Sequence, residues 1–189
     1  DKNIDIPNSN SVWSVLGNGK LTDQSSIKLL WTNDQGITFE KEIFLDNKFL
    51  FTIKQRVVNS TSKEYDFYSY GQIIRKQIPD ISNFYILHEG LLATLDEELI
   101  EEDYDDIQEE SFSKTSQKGW LGISDKFWIT SLIPPSGKEF KTTFDYKEKF
   151  RANFVGTEPL ELKGNSSIED KLQVIVAAKR VDVIDGYAE

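Results

Sequence analysis

Residues 37–45, ITFEKEIFL, and residues 49–57, FLFTIKQRV, alternate apolar and polar side chains on either side of Asp46-Asn47. Period-two alternation sends successive side chains to opposite faces of a strand, and Asp-Asn supplies the short turn a hairpin needs. Ile37, Phe39 and Lys41 share one face, against Thr38, Glu40 and Glu42. Lys41 interrupts that face, and a shift near Lys41–Glu42 is expected to bring Ile43 and Leu45 into line. On the second strand Phe49, Phe51, Ile53 and Val57 point one way. The pattern predicts a β-hairpin over 37–59.

The same period recurs along the chain. Strands are expected over 27–31, 65–75, 84–88, 140–154 and 168–178, where β-branched and aromatic residues concentrate. Phe140, Phe144, Tyr146 and Phe150 fall at even positions, and Leu172, Val174 and Val176 alternate against Gln173 and Ile175. Helical spacing appears only at the end, where Val181, Ile184 and Tyr187 recur every third residue with Asp182 and Asp185 between them. Many strands and one terminal helix predict an all-β sandwich, with residues 1–189 forming a single domain.

Composition excludes several classes. With 38% hydrophobic and 12% aromatic residues the chain can bury a core, which excludes disorder as its overall state. Cysteine is absent, so no disulfide or thiolate metal site can form. Methionine is absent too and the chain opens on Asp1, so it is expected to be a fragment or a processed chain. The longest apolar run, Val174–Ala178, is far short of the roughly 18 residues that cross a bilayer. The net charge of −10 is local: residues 96–110, DEELIEEDYDDIQEE, hold ten of the 32 acidic side chains and no basic one, which leaves 22 acidic against 22 basic elsewhere. Such a segment repels phosphate backbones and argues against a nucleic-acid partner.

Residues 96–110 lack the spaced oxygens and central glycine of a calcium loop, so a solvated edge or hairpin is expected, pinned to the body by Leu99, Tyr104 and Ile107. His88 is the only histidine. It could serve as a lone acid–base group, but behind the apolar run FYIL it reads as a structural residue at a strand end. Asn59-Ser60-Thr61 and Asn165-Ser166-Ser167 match the glycosylation sequon at strand ends, where turn chemistry accounts for them. No glycine-rich phosphate loop, nucleophile elbow or spaced acid pair occurs. No catalytic residue, cofactor or metal is therefore expected.

The segment KGWLGISDKFWITSLIP, 118–134, concentrates aromatic mass among two glycines and a closing proline. Trp120, Phe127 and Trp128 are expected in the core or at a sandwich edge, with Gly119 and Gly122 permitting a close backbone approach or a bulge. Because neighbours on a strand face opposite sides, one of Phe127 and Trp128 is expected to stay available to a partner.

This segment, with its Gly-Trp strand, aromatic pair and Ile133-Pro134 close, resembles the large periplasmic domain of the YidC/Oxa/Alb family of membrane protein insertases. Leu30-Trp31 with Gly36-Ile37-Thr38-Phe39 resembles a second family strand, although Asp34-Gln35 stands where one family glycine would be. Phe51-Thr52-Ile53 through Val57-Val58-Asn59-Ser60, then 84–90, then Ala177-Ala178-Lys179-Arg180-Val181-Asp182, follow in the family's order. The resemblance spans nearly the whole chain.

It implies a galactose-mutarotase-like β-supersandwich with a short C-terminal helix, on the periplasmic face of the bacterial inner membrane. The implied role is non-catalytic support of membrane insertion. The implied partners are the protein's own membrane-embedded insertase domain, Sec translocon components and nascent inner-membrane proteins. Val181, Ile184, Tyr187, Phe127 and Trp128 are the candidate docking residues. The alternative is a carbohydrate-binding or mutarotase-like domain. Mutarotases use histidines with a glutamate, and a lone His88 argues against that chemistry.

Overall fold

The computed structural model describes residues 4–77 and 88–179. Its strands are β1 (Ser14–Leu16), β2 (Ile27–Thr32), β3 (Ile37–Leu45), β4 (Leu50–Asn59), β5 (Tyr65–Phe67), β6 (Tyr70–Arg75), β7 (Gly90–Leu95) and β8 (Glu98–Glu102). After the short helix α1 (Tyr104–Glu109) come β9 (Phe112–Ser116), β10 (Gly119–Ser124), β11 (Trp128–Ile133), β12 (Phe140–Tyr146), β13 (Phe150–Gly156), β14 (Leu160–Leu162) and β15 (Ser167–Ala178). The chain groups into two compact units, Asp1–Ser69 with Pro159–Leu172 and Tyr70–Glu158 with Gln173–Glu189. Strand β15 contributes its first half to one unit and its second half to the other.

In the first unit β1, β2, β3 and β4 are successive antiparallel neighbours, followed by β15, while β5 pairs with β14. The expected hairpin is β3–β4, paired from Ile37↔Asn59 to Leu45↔Phe51 without interruption. There is no shift at Lys41–Glu42. Lys41 stays on the face of Phe39 and Ile43, and its ammonium lies 5.2 Å from the centre of the Trp13 ring. A face that looked broken is continuous because an aromatic ring takes the cation. Burial holds the Lys41 pKa below its ordinary value. The turn closes on Asp46 Oδ1, which accepts from the amides of Lys48 and Leu50 at 2.8 and 2.9 Å. The core of this unit is Ile37, Tyr65 and Leu162, with Phe39, Val57, Phe67 and Ile168 against it. Trp31, Phe39 and Phe67 stack in sequence at 5.7 and 5.9 Å.

The second unit holds a sheet in the order β6-β13-β12-β9 and the strand series β15-β11-β10-β7-β8. Its core combines Leu91, Ala93, Leu95, Leu121 and Ile123 with Phe140, Phe144, Phe150 and Phe154. The expected run 140–154 is β12 turning into β13, with the even-numbered side chains buried except Tyr146 and Glu148 at the turn. The expected run 65–75 divides into β5 and β6. The expectation for β15 needs correction in its second half. Ile175 and Ala177 pack on the cluster of Leu92 and Ile129, whereas Val176 faces out. The buried parity changes along this strand, which the apolar run VIVAA conceals by being apolar at every position.

The all-β class holds, but the helix described is α1, inside the acidic segment. The strand expected over 84–88 lies largely, and the terminal helix over Val181–Tyr187 entirely, outside the described residues.

Candidate functional site

Strands β10 and β11 form a hairpin whose tip is Asp125-Lys126-Phe127, closed by an Asp125 amide that donates to the Trp128 carbonyl at 2.8 Å. Gly119 has φ +137, and a Cβ there would run into the Thr94 carbonyl of neighbouring β7. Gly122 faces the backbone of Thr130 and Ser131 on β11 equally closely. Both glycines thus serve close strand approach rather than a bulge, and the pairing from Gly119↔Leu95 to Ser124↔Gly90 is unbroken. Trp120 packs on the Leu92–Ile129–Ala177 cluster as expected.

Phe127 and Trp128 do not join the core. They are 65% and 57% exposed, and the Lys126 ammonium lies 5.2 Å from the centre of the Phe127 ring. Trp128 pairs with Ala178, and one step along, on the same strand face, Val176 is 40% exposed. The sequence expectation of one exposed aromatic becomes two, because Phe127 belongs to the turn and strand alternation does not bind it. Val181, Ile184 and Tyr187 lie outside the described residues.

Behind the tip is a set of ionisable groups drawn from four elements. Arg75 of β6 forms an ion pair with Asp125. The hydroxyl of buried Tyr104, at the start of α1, donates to Asp125 Oδ1 at 3.3 Å. Burial pushes the Tyr104 phenol well above its ordinary range, and the negative charge of Asp125 adds to the shift. The Lys179 ammonium donates to the His88 carbonyl at 2.7 Å, and burial holds its pKa below the ordinary lysine value against the pull of Glu89, Asp125 and Glu101.

His88 Nε2 lies 3.1 Å from the Leu91 carbonyl. A carbonyl only accepts, so this nitrogen carries the proton. Nδ1 lies 3.6 Å from Asp103. Nε2 is thus held by the chain, in keeping with the structural role expected of this histidine, while Nδ1 faces an exposed carboxylate beyond hydrogen-bond distance. The cluster braces the tip: breaking it at Asp125 would leave Arg75 and Tyr104 without their shared partner.

The acidic segment is the edge strand β8 followed by α1. Tyr104 and Ile107 pin it as expected, at 1% and 3% exposure. Leu99 does not: it is 60% exposed, and Ile100 takes the inward position instead. A cleft of about 360 Å³ beside it is lined by Glu102, Asp106, Glu109 and Glu110 with Phe112. Asn59 of the first sequon donates its side-chain amide to the carbonyls of Lys63 and Lys163, at 2.7 and 3.0 Å. A buried amide so bonded is a structural tie rather than a glycan acceptor.

Comparison with known proteins places the chain. The family model described as YidC periplasmic domain matches residues 1–189. A membrane protein insertase YidC of Pelagibacter ubique is 66% identical over 189 residues, covering all of this chain and 34% of the relative. The insertase YidC of Rickettsia prowazekii is 35% identical over 191 residues, covering 97% of this chain and 34% of its own length. The chain thus spans about a third of the length of these curated relatives. Among solved structures, a galactose mutarotase related enzyme from Lactobacillus acidophilus superposes with a TM-score of 0.63 at 10% identity, over 91% of this chain and 73% of that one. The galactosidase domain of an alpha-galactosidase-sucrose kinase superposes at 0.60 with 8% identity, over 84% of this chain and 24% of that one. At such identities the likeness shows the fold alone, a mutarotase-like β-sandwich.

Proposed function

The chain belongs to the YidC periplasmic domain family, and from that premise we propose that it works as a non-catalytic interaction domain for the insertase of which it is the periplasmic part. Its role is to position and support the membrane-embedded portion while that portion inserts and folds inner-membrane proteins, alone or with Sec translocon components. The observation that carries the reading is the Phe127–Trp128 tip, presented to the outside on a braced hairpin and bonded to the last described strand. Val181, Ile184 and Tyr187, which come after that strand in the sequence and lie outside the described residues, are proposed as further docking residues.

The mutarotase-like alternative draws only on the fold. The one histidine has its Nε2 bonded to the Leu91 carbonyl, and the tip gathers aromatic and apolar side chains rather than convergent acid–base groups. A polarimetric assay on aldohexoses tests the non-catalytic part: turnover that disappears in His88→Ala would overturn it.

The interaction role is tested in the full-length protein. Val181→Asp with Ile184→Asp is expected to impair insertion of a reporter membrane protein more than comparable charge changes in the acidic segment. The melting temperature of the separate domain is measured alongside. Normal insertion by the double variant would overturn the docking role. A large fall in melting temperature would reduce it to a folding effect.

A further inference from the structure

We propose that the hairpin tip Lys126-Phe127-Trp128 lodges in the interfacial region of the lipid bilayer as a shallow aromatic anchor. This rests on the interaction-domain reading above and names lipid as the partner of the exposed pair.

Single exposed apolar side chains are ordinary on a protein surface, and Phe49 and Leu99 are of that kind. The tip differs. Two large rings stand at consecutive positions, 65% and 57% exposed, with Val176 continuing the apolar surface on the Trp128 face. A lysine beside them, itself exposed, holds its ammonium 5.2 Å from the centre of the Phe127 ring. An indole with one polar edge, a phenyl ring and a long cation are the side chains that settle where headgroups meet acyl chains. The tip is also held rigidly from behind by the Arg75–Asp125–Tyr104 contacts, so little order is lost when it docks.

Position points the same way. The Lys179 amide is bonded to the Phe127 carbonyl, so the last described residue lies beside the tip. The relatives are named membrane protein insertases, and about two thirds of their length lies outside the matched stretch. The surface nearest to where the described chain is handed on is thus the aromatic one.

Charge sets the character of the contact. Asp125 is taken up by Arg75 and Tyr104, while Asp103 is exposed beside His88, so the fringe of the tip is mixed in sign. Anionic headgroups gain nothing from it. The contact depends on burying rings, and is therefore expected to be insensitive to anionic lipid and to salt.

The test uses the full-length protein in phosphatidylcholine–phosphatidylethanolamine vesicles whose acyl chains are brominated near the headgroup. The emission of Trp128 is isolated by subtracting Trp128→Phe, or Trp128→Tyr should the first variant melt below the parent. That emission is expected to fall about twofold or more against unbrominated vesicles, as for a ring seated at the headgroup–acyl boundary. Adding phosphatidylglycerol or salt should leave the loss unchanged. A Trp128 signal shielded from aqueous iodide yet untouched by bromine would mean that the ring packs on protein. That would overturn the lipid anchor and leave the interaction-domain reading standing. A signal open to iodide and untouched by bromine would overturn both, since the tip would then face water.

Discussion

The backbone amide of Lys179 donates to the carbonyl of Phe127 across 2.8 Å, while the ammonium of the same lysine donates to the carbonyl of His88 at 2.7 Å. One residue thus ties the end of β15 to the hairpin tip and to the approach of β7. The exposed aromatics sit on a fixed support, and a change at the tip separates cleanly from a change in the fold.

The tryptophans of the hairpin should behave oppositely. Trp120 packs on Leu92, Ile129 and Ala177, so Trp120→Ala is expected to cost about 2–4 kcal/mol, toward the lower part of the range for large aromatic truncations because the ring is only part-buried. Trp128 is 57% exposed, and Trp128→Ala should stay within about 0.5 kcal/mol of the parent. Urea unfolding of both variants checks this. Equal losses would mean that Trp128 is packed after all.

The contrast also marks what the sequence could and could not say. The β3–β4 hairpin, the β12–β13 pair and the close approach at Gly119 and Gly122 were legible because alternation and glycine placement are local signals. The exposure of Phe127 was not, because turn residues escape the alternation rule. The outward turn of Val176 was hidden in a run that is apolar on both faces. Helix α1 was missed because six residues within an acidic tract offer too few turns for a period, and tertiary burial of Tyr104 and Ile107 holds it instead. Of the candidate site, the aromatic pair was readable from composition alone, whereas the Arg75–Asp125–Tyr104 brace joins residues far apart in the chain and carries no local mark.

Gly119→Ala should destabilise the domain by about 1–3 kcal/mol, since φ +137 is a backbone state that side chains resist and the Thr94 carbonyl occupies the Cβ position. Gly137→Ala is the control: its φ of +74 is also positive but close to the left-handed region that side chains can adopt, and nothing lies within 4 Å of the added carbon. Thermal melts of the pair should rank Gly119→Ala clearly lower. Equal melting would mean that the Thr94 contact is relieved by a small shift of the strand.

Asn59→Ala removes two donors, from the carbonyls of Lys63 and Lys163, and the acceptor that takes the Thr61 amide at 2.9 Å. Asn59 is 1% exposed, so water cannot replace these bonds without opening the turn. The expected loss is about 2–3 kcal/mol, in the range for buried polar partners left unsatisfied. Asn59→Asp should be no better, because the lost amide donors face carbonyl oxygens and a carboxylate would repel them. Denaturant midpoints of the two variants decide the matter, and a stable aspartate variant would contradict the assigned donors.

Lys41 offers a test with a defined pH dependence. Its pKa is lowered on folding by burial, from an ordinary value of 10.5. Between the lowered value and 10.5 the folded chain binds fewer protons than the unfolded one, so stability rises with pH across that interval. Below the interval the cost of burying the charge is present in full, offset in part by the Trp13 ring, a contact of about 0.5–1 kcal/mol at most at such a site. Methionine keeps the stem, fits the face shared with Phe39 and Ile43, and carries no charge to desolvate. Lys41→Met is therefore expected to melt above the parent at pH 7, with the gap narrowing as pH approaches 10.5 and the parent lysine becomes neutral. Melting curves at pH 7 and near pH 10 measure the gap directly. A variant that melts below the parent at pH 7 would mean that the ring contact outweighs the burial cost, and that Lys41 is placed in the apolar face for the sake of Trp13.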